Sequence, residues 1–159
     1  MIILNPAPRR LLALLQEDAC LPVNELAERV GMSRSACRSW IARLCDMGVV
    51  TRRVAVLDRK AVGLDLAVFV SIRANPGDPL WQEAFQRVQT SPAVTECHRL
   101  SGAAEYLLKV IVRDVAAYDA FHRTYFAESP LDASARFALE EVKYSTVLPL
   151  GEDAAAEPG

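Results

Sequence analysis

The densest grouping of chemically capable side chains falls between residues 33 and 43, where Ser33, Arg34, Ser35, Arg38, Ser39 and Arg43 crowd one short stretch. A guanidinium is flat and permanently charged, and its donors match phosphate oxygens or the O6 and N7 acceptors of guanine; hydroxyls add short hydrogen bonds. This is chemistry for a polyanion, and above all for duplex DNA. A second group, Cys97, His98 and Ser101, holds the residue types of a nucleophile and its base. Neighbouring strand residues point to opposite faces, so Cys97 and His98 do not converge, and spacing places no third group to orient the imidazole. No catalytic residue is expected.

Metal chemistry is equally short of ligands. Cys20, Cys37, Cys45 and Cys97 form no C-x-x-C pair, and His98 and His122 are the only imidazoles, which does not meet the spacing of a structural zinc site. The expectation is no metal, no cofactor and four reduced, mostly buried thiols.

A helix has to present the first group. Ser33 is a natural N-cap, and Cys37, Trp40, Ile41 and Leu44 recur at the spacing of a buried stripe as far as Gly48. At about 100° per residue, Ser35, Arg38, Ser39 and Ala42 then project away from that stripe, with Arg34 in the exposed first turn and Arg43 on the flank. Small residues beside the arginines let such a helix sit deep in a groove. Two helices are expected before it: one carrying Leu11, Leu14 and Leu15 and ending near Asp18, and one opening at Pro22, carrying Leu26, Ala27 and Val30, and stopping at Gly31. After Gly48 the β-prone run 49–57, with Arg52 and Arg53 at its centre, suggests a short hairpin. Three helices and a wing form a winged helix-turn-helix over residues 1–57.

Residues 58–65 are expected to link this to a second domain over 66–150. Leu66, Val68, Val70 and Ile72 alternate as a strand. A turn cluster around Pro76 and Gly77 precedes a helix with Trp81, Ala84, Phe85 and Val88 on one stripe. A strand pair follows, 93–100 and 106–112, joined by Ser101 to Glu105. Val115 to Ala127 is a helix with Tyr118, Phe121 and Tyr125 packing at helical spacing, and 133–148 is expected as one long final strand. The order βαββαβ predicts an α+β, ferredoxin-like sandwich. Residues 151–159, rich in Ala, Glu and Pro, are expected to be disordered.

Charge is divided along the chain. Residues 1–60 hold 10 Lys and Arg against 6 Asp and Glu, while residues 61–159 hold 8 against 14, so a basic first part precedes an acidic remainder within a net charge of −2. A basic part suits DNA, because neutralising phosphates releases counterions and supplies most non-specific affinity. No apolar run approaches the roughly 18 residues that cross a bilayer, and the first residues lack the basic and apolar regions of a leader. A soluble cytoplasmic protein, with no membrane partner, is the expectation.

From about Leu11 to Val147 the sequence resembles the Lrp/AsnC (feast/famine) family of transcription regulators. Three segments carry the resemblance: Glu25-Leu26-Ala27-Glu28-Arg29-Val30-Gly31-Met32-Ser33 with Arg43-Leu44 through Gly48-Val49-Val50; Glu96-Cys97-His98-Arg99-Leu100-Ser101-Gly102-Ala103-Ala104-Glu105-Tyr106-Leu107-Leu108-Lys109; and Glu140-Glu141-Val142-Lys143. Trp40 stands where the family commonly has a basic residue. The resemblance implies a regulator that binds double-stranded DNA and associates with itself through the sheets of the second domain. Homodimers assembling further into tetramers or octamers are implied, together with a response to an amino acid or related metabolite.

The resemblance also implies an effector site at the loop after the second strand of the sensing domain, here Ser101, Gly102, Ala103, Ala104 and Glu105. Gly102 would permit a close backbone approach, and Glu105 stands where the family usually has Asp. From the last strand Ser134 would contribute, with Ala133 and Ala135 where the family often has hydroxyl residues. Two alternatives stay open: a ligand-independent, architectural DNA organiser, favoured by the alanines in the loop, and a tetrapyrrole decarboxylase-like enzyme on the same domain plan. Against the second, such chemistry would want several histidines lining the sheet, where the chain offers only His98 and His122, and the third helix has kept its basic face.

Overall fold

Two units make up the computed structural model, which describes residues 5–101 and 105–150. One is built from the chain up to Ala55 together with the stretch from Lys143, and the other is Val56–Val142. The expected disordered tail, 151–159, lies outside the described residues.

The first unit contains α1 (Pro6–Glu17), α2 (Val23–Val30) and α3 (Arg34–Asp46). Proline near the start of α1 gives up no helical hydrogen bond, because the first N–H groups have no intrahelical acceptor. At Gly31 the chain turns in the left-handed region, φ 70°, and the Met32 amide donates back to the Ala27 carbonyl at 2.9 Å. Any Cβ would be strained in that backbone conformation, so a glycine stops α2 and frees Ser33 to begin the next helix. Ser33 does so, its Oγ accepting from the Ala36 amide at 3.2 Å. Leu11, Leu12, Leu26, Ala27, Val30, Cys37 and Leu44 form the buried core of this unit.

Two expectations for flanking segments are corrected. Residues 51–57 are exposed and make no strand ladder, so no hairpin follows α3 among the described residues; an extended segment forms a ladder only when a second backbone lies beside it. Residues 143–150 are not part of a final strand. They belong to the first unit, where the Gln16 side chain accepts from the Leu148 amide at 2.8 Å and donates to the Leu148 carbonyl at 3.3 Å, while Leu150 packs against the helical core.

The second unit runs β1 (Leu66–Arg73), α4 (Pro79–Gln89), β2 (Val94–Arg99), β3 (Glu105–Val112), α5 (Val115–Tyr125) and β4 (Ala133–Phe137). Its antiparallel sheet has the order β2-β3-β1-β4, the arrangement of a ferredoxin-like sandwich. Asp78 and Asp114 cap α4 and α5, their carboxylates accepting from the Leu80 and Ala117 amides at 2.9 and 2.7 Å. Both helices cover one face, where Val68, Val70, Ile72, Leu108 and Val110 meet Trp81, Phe85, Val88, Tyr118 and Phe121. The expected linker is a folded turn: Asp58 accepts from the Lys60 amide at 2.9 Å, and Arg59 donates to the Leu64 and Asp65 carbonyls. β4 stops at Phe137 because its partner runs out. Phe137 lies opposite Val68, the Ala138 amide still reaches the Ala67 carbonyl at 2.9 Å, and β1 begins one residue further on.

Candidate nucleic-acid interface and effector face

α3 is placed by its inner stripe. Cys37 and Leu44 are fully buried, and Trp40 and Ile41 pack against the same core half-buried. Burial holds the Cys37 thiol above its ordinary pKa, so it is a protonated packing group. With that stripe turned inward, Arg34, Ser35, Arg38, Ser39, Ala42 and Arg43 are all exposed. At about 100° per residue, Arg34 and Arg38 fall on one flank and Arg43 on the other, with Ser35, Ser39 and Ala42 along the ridge between them. Ser33 begins the helix, its hydroxyl taken up by the Ala36 amide and by Ser35 Oγ at 3.1 Å.

The surface of α3 is therefore a narrow ridge of small side chains edged by cations. Its acidic residue, Asp46, sits in the last turn. The N-terminal turn adds the positive end of the helix dipole to Arg34 and Ser35. The Arg43 guanidinium lies 5.1 Å over the Trp40 ring. Arg52 and Arg53 are exposed in the extended segment beyond.

Of the residues expected at an effector site, Gly102, Ala103 and Ala104 lie outside the described residues. Ser101 is exposed, and Glu105 opens β3 with its carbonyl accepting from the Leu100 amide at 2.9 Å. Glu105 pairs with Arg73 of β1, and Ser134 of β4 pairs with Ser71. Alternation puts all four on the sheet face opposite the helices, toward the same end, with β1 between the two expected residues. Ala133 and Ala135 pair with Ile72 and Val70, whose side chains are core. They therefore face the helices, and a hydroxyl there would not join Ser134.

Sequence reasoning missed the residues between. Arg73, whose guanidinium is 3.7 Å from Asp132, and Arg136, which donates to Ser71 Oγ at 3.3 Å, bring positive charge to this face. The out-of-phase positions Ser71 and Arg73 in an otherwise apolar strand were the available signal. Further along the same face, Lys109 Nζ donates to Glu96 at 2.8 Å and His98 lies 3.3 Å from the other carboxylate oxygen. The Lys109 hydrogen bond is the main reason the Glu96 carboxyl is held below its usual pKa, against a smaller opposing effect of burial.

Cys97 pairs with Leu108 and His98 with Leu107, so thiol and imidazole take opposite faces, as alternation requires. Cys20, Cys45 and Cys97 are exposed free thiols and Cys37 alone is buried, which corrects the expectation of mostly buried cysteines. Cys45 sits one residue past Leu44, about 100° around α3, and that step carries it out of the core. A surface cleft of about 500 Å³ lies elsewhere, lined by Arg87, Arg123, Tyr125, Glu128 and their neighbours. It contains none of the expected residues, and Arg87 there donates to the Thr124 carbonyl at 3.2 Å. No helix among the described residues is long and apolar enough to cross a membrane.

Comparison with known proteins agrees with both units. Residues 4–51 match the winged helix-turn-helix DNA-binding model, and residues 67–148 match the Lrp/AsnC ligand binding domain. The chain is 41% identical over 145 residues to a glutamate uptake regulatory protein of Zymomonas mobilis, covering 90% of this chain and 88% of that one. It is 37% identical over 150 residues to the DNA-binding transcriptional activator DecR of Escherichia coli K12, covering 92% and 99%. A transcriptional regulator from Neisseria meningitidis, solved in complex with L-Met, superposes with a TM-score of 0.85 at 32% identity, covering 93% of this chain and 97% of that one. The helix-turn-helix, the antiparallel βαββαβ unit and these relatives together show that the chain belongs to the Lrp/AsnC family of DNA-binding transcriptional regulators.

Proposed function

We propose that α3 enters the major groove of duplex DNA and that Arg38, with Ser35 and Ser39 beside it, reads base edges while Arg34 and Arg43 neutralise phosphates on either side. The observation that carries this is the exposed ridge itself, with small residues along its crest and cations on both flanks. A groove about 12 Å wide with phosphates on both walls asks for that distribution. Ser33 serves as the cap that holds the ridge, and the exposed Arg52 and Arg53 contact the flanking backbone.

The chain acts as a homodimer, and as larger assemblies of dimers, so that two copies of α3 meet a roughly palindromic site. Self-association is supported by Phe69, Leu107 and Ile111 on the face opposite the helices and by the exposed Val54, Val56 and Leu57. The effector is an amino acid, as the relative bound to L-Met suggests. Glu105, with Ser101 and the residues Gly102, Ala103 and Ala104 that precede it in the sequence, receives its ammonium end, and Ser134 contributes a hydroxyl. An effector that binds one assembly better than another shifts the population toward it, and DNA affinity follows.

Anisotropy titrations of a labelled duplex from upstream of the protein's own gene, at several salt concentrations, test both parts. Arg38→Ala is expected to weaken specific binding about 5- to 150-fold, the equivalent of about 1 to 3 kcal/mol for a bidentate base contact. Arg34→Ala is expected to lower the slope of log K against log salt by about 0.9 for each phosphate that is no longer neutralised. Unchanged affinity and slope in the variant that combines Arg34→Ala with Arg38→Ala would refute the DNA-facing assignment of α3. Repeating the titration with a panel of amino acids separates a sensor from a ligand-independent organiser, whose binding none of them would alter.

A further inference from the structure

We infer that Trp40 is a positioning residue for DNA binding: its indole holds the Arg43 guanidinium on its flank of α3 before DNA arrives. The inference rests on the assignment of α3 as the helix that faces DNA. Trp40 and Arg43 are three residues apart, so their side chains are neighbours on the helix surface. The guanidinium carbon lies 5.1 Å from the centre of the indole ring, within the range of a cation–π contact.

Trp40 is itself held from beneath. It is half-buried and packs against the core built on Leu11, Leu26, Cys37 and Leu44, so the ring is a fixed platform. A cation–π contact engages the charge of the guanidinium and none of its hydrogen-bond donors, so the N–H groups remain able to reach outward. Among the described residues Arg43 has no carboxylate partner within ion-pair distance and no other ring contact. The indole is thus what restrains it.

The placement gives the restraint a use. Arg43 occupies the flank of α3 opposite Arg34 and Arg38, so in a groove it meets the other wall of phosphates. A long flexible cation loses rotamer freedom when it docks. One already laid on a ring loses less, and binding is tighter by that difference without an added contact to DNA.

The test uses the full-length chain and a mixed-sequence duplex, because a phosphate contact does not depend on base sequence. Arg43→Ala is expected to lower the salt slope by about 0.9 for each protomer engaged. Trp40→Leu keeps an apolar side chain in the core and removes the ring; it is expected to weaken binding about two- to fivefold, the size of an exposed cation–π contact, with the salt slope kept. Trp40→Phe, which restores a ring, should recover most of that loss. In an Arg43→Ala background Trp40→Leu should cost nothing further. Arg43→Lys leaves the core untouched and keeps the charge, but puts a compact, strongly hydrated ammonium where the more weakly hydrated guanidinium lay over the ring, and should weaken binding in the same direction as Trp40→Leu even if the latter folds poorly. Full affinity in both Trp40→Leu and Arg43→Lys overturns the inference, as do losses for Trp40→Leu and Arg43→Ala that multiply in the double variant. If Arg34→Ala and Arg38→Ala are also silent, the DNA-facing assignment of α3 has failed; if they weaken binding, only the role of Trp40 has.

Discussion

Single side chains divide into those whose role follows from their type and those whose role depends on a neighbour. Ser33 is the first kind: a serine ahead of an apolar stripe caps a helix, and its hydroxyl meets the Ala36 amide as the motif requires. Tyr118 is the second. Helical spacing marks it as core, and it is 6% exposed, with its ring edge-on to Phe137. Its hydroxyl, however, is buried without a hydrogen-bond partner among the described residues, and burial raises its pKa. An unpaired buried hydroxyl costs about 1 to 3 kcal/mol. Tyr118→Phe removes that atom and keeps the ring, so it is expected to raise stability by about 1 kcal/mol, measured as a shift in the midpoint of urea unfolding. A drop in stability would mean that the hydroxyl has a partner in solution.

At the level of elements, the helices were legible because each carries its own signals. Pro22, Gly31 and Ser33 mark starts and stops within a few residues of the bonds they make or leave unmade, and the apolar stripe of α3 fixes which side its arginines occupy; the caps at Asp78 and Asp114 came from the structure. Strands are less self-contained. Leu66 to Arg73 alternates clearly, yet where β4 ends is decided by the length of β1 beside it. The sheet also carries a pH dependence that only pairing reveals. Glu96 on β2 meets Lys109 on β3 across the strand pair, and its carboxyl pKa in the folded state lies below the ordinary 4.5. A depressed carboxylate contributes stability that is present above its unfolded pKa and is lost as pH falls through the folded value. Acid titration from pH 5 downward is therefore expected to weaken this unit, and Lys109→Met to flatten that part of the curve. Identical acid profiles for the two proteins would show that the pair contributes nothing to the acid sensitivity.

For the whole molecule, the first unit is made from both ends of the chain. Gln16 on α1 is joined to the Leu148 backbone by two hydrogen bonds, and Leu150 packs on the helical core. Ending the chain after Val142 is expected to lower amide protection in α1 and α2, read by hydrogen exchange, while β1 and β3 keep theirs. Equal protection in the shortened chain would show that the segment adds nothing to the helices. What residue order alone determined were the features of short range: the three-helix start, the small and basic face of α3, the βαββαβ order and the divided charge. A period of 3.6 or 2, a cap or a left-handed glycine acts over a few residues and can be read without knowing what lies across from it. The tertiary structure decided which distant residues meet. Glu105 and Ser134 share a face with Arg73 and Ser71, the alanines of β4 turn to the helices, and residues 143–150 return to α1. Such meetings depend on backbone pairing and packing between segments far apart in the chain, where no local period carries the information.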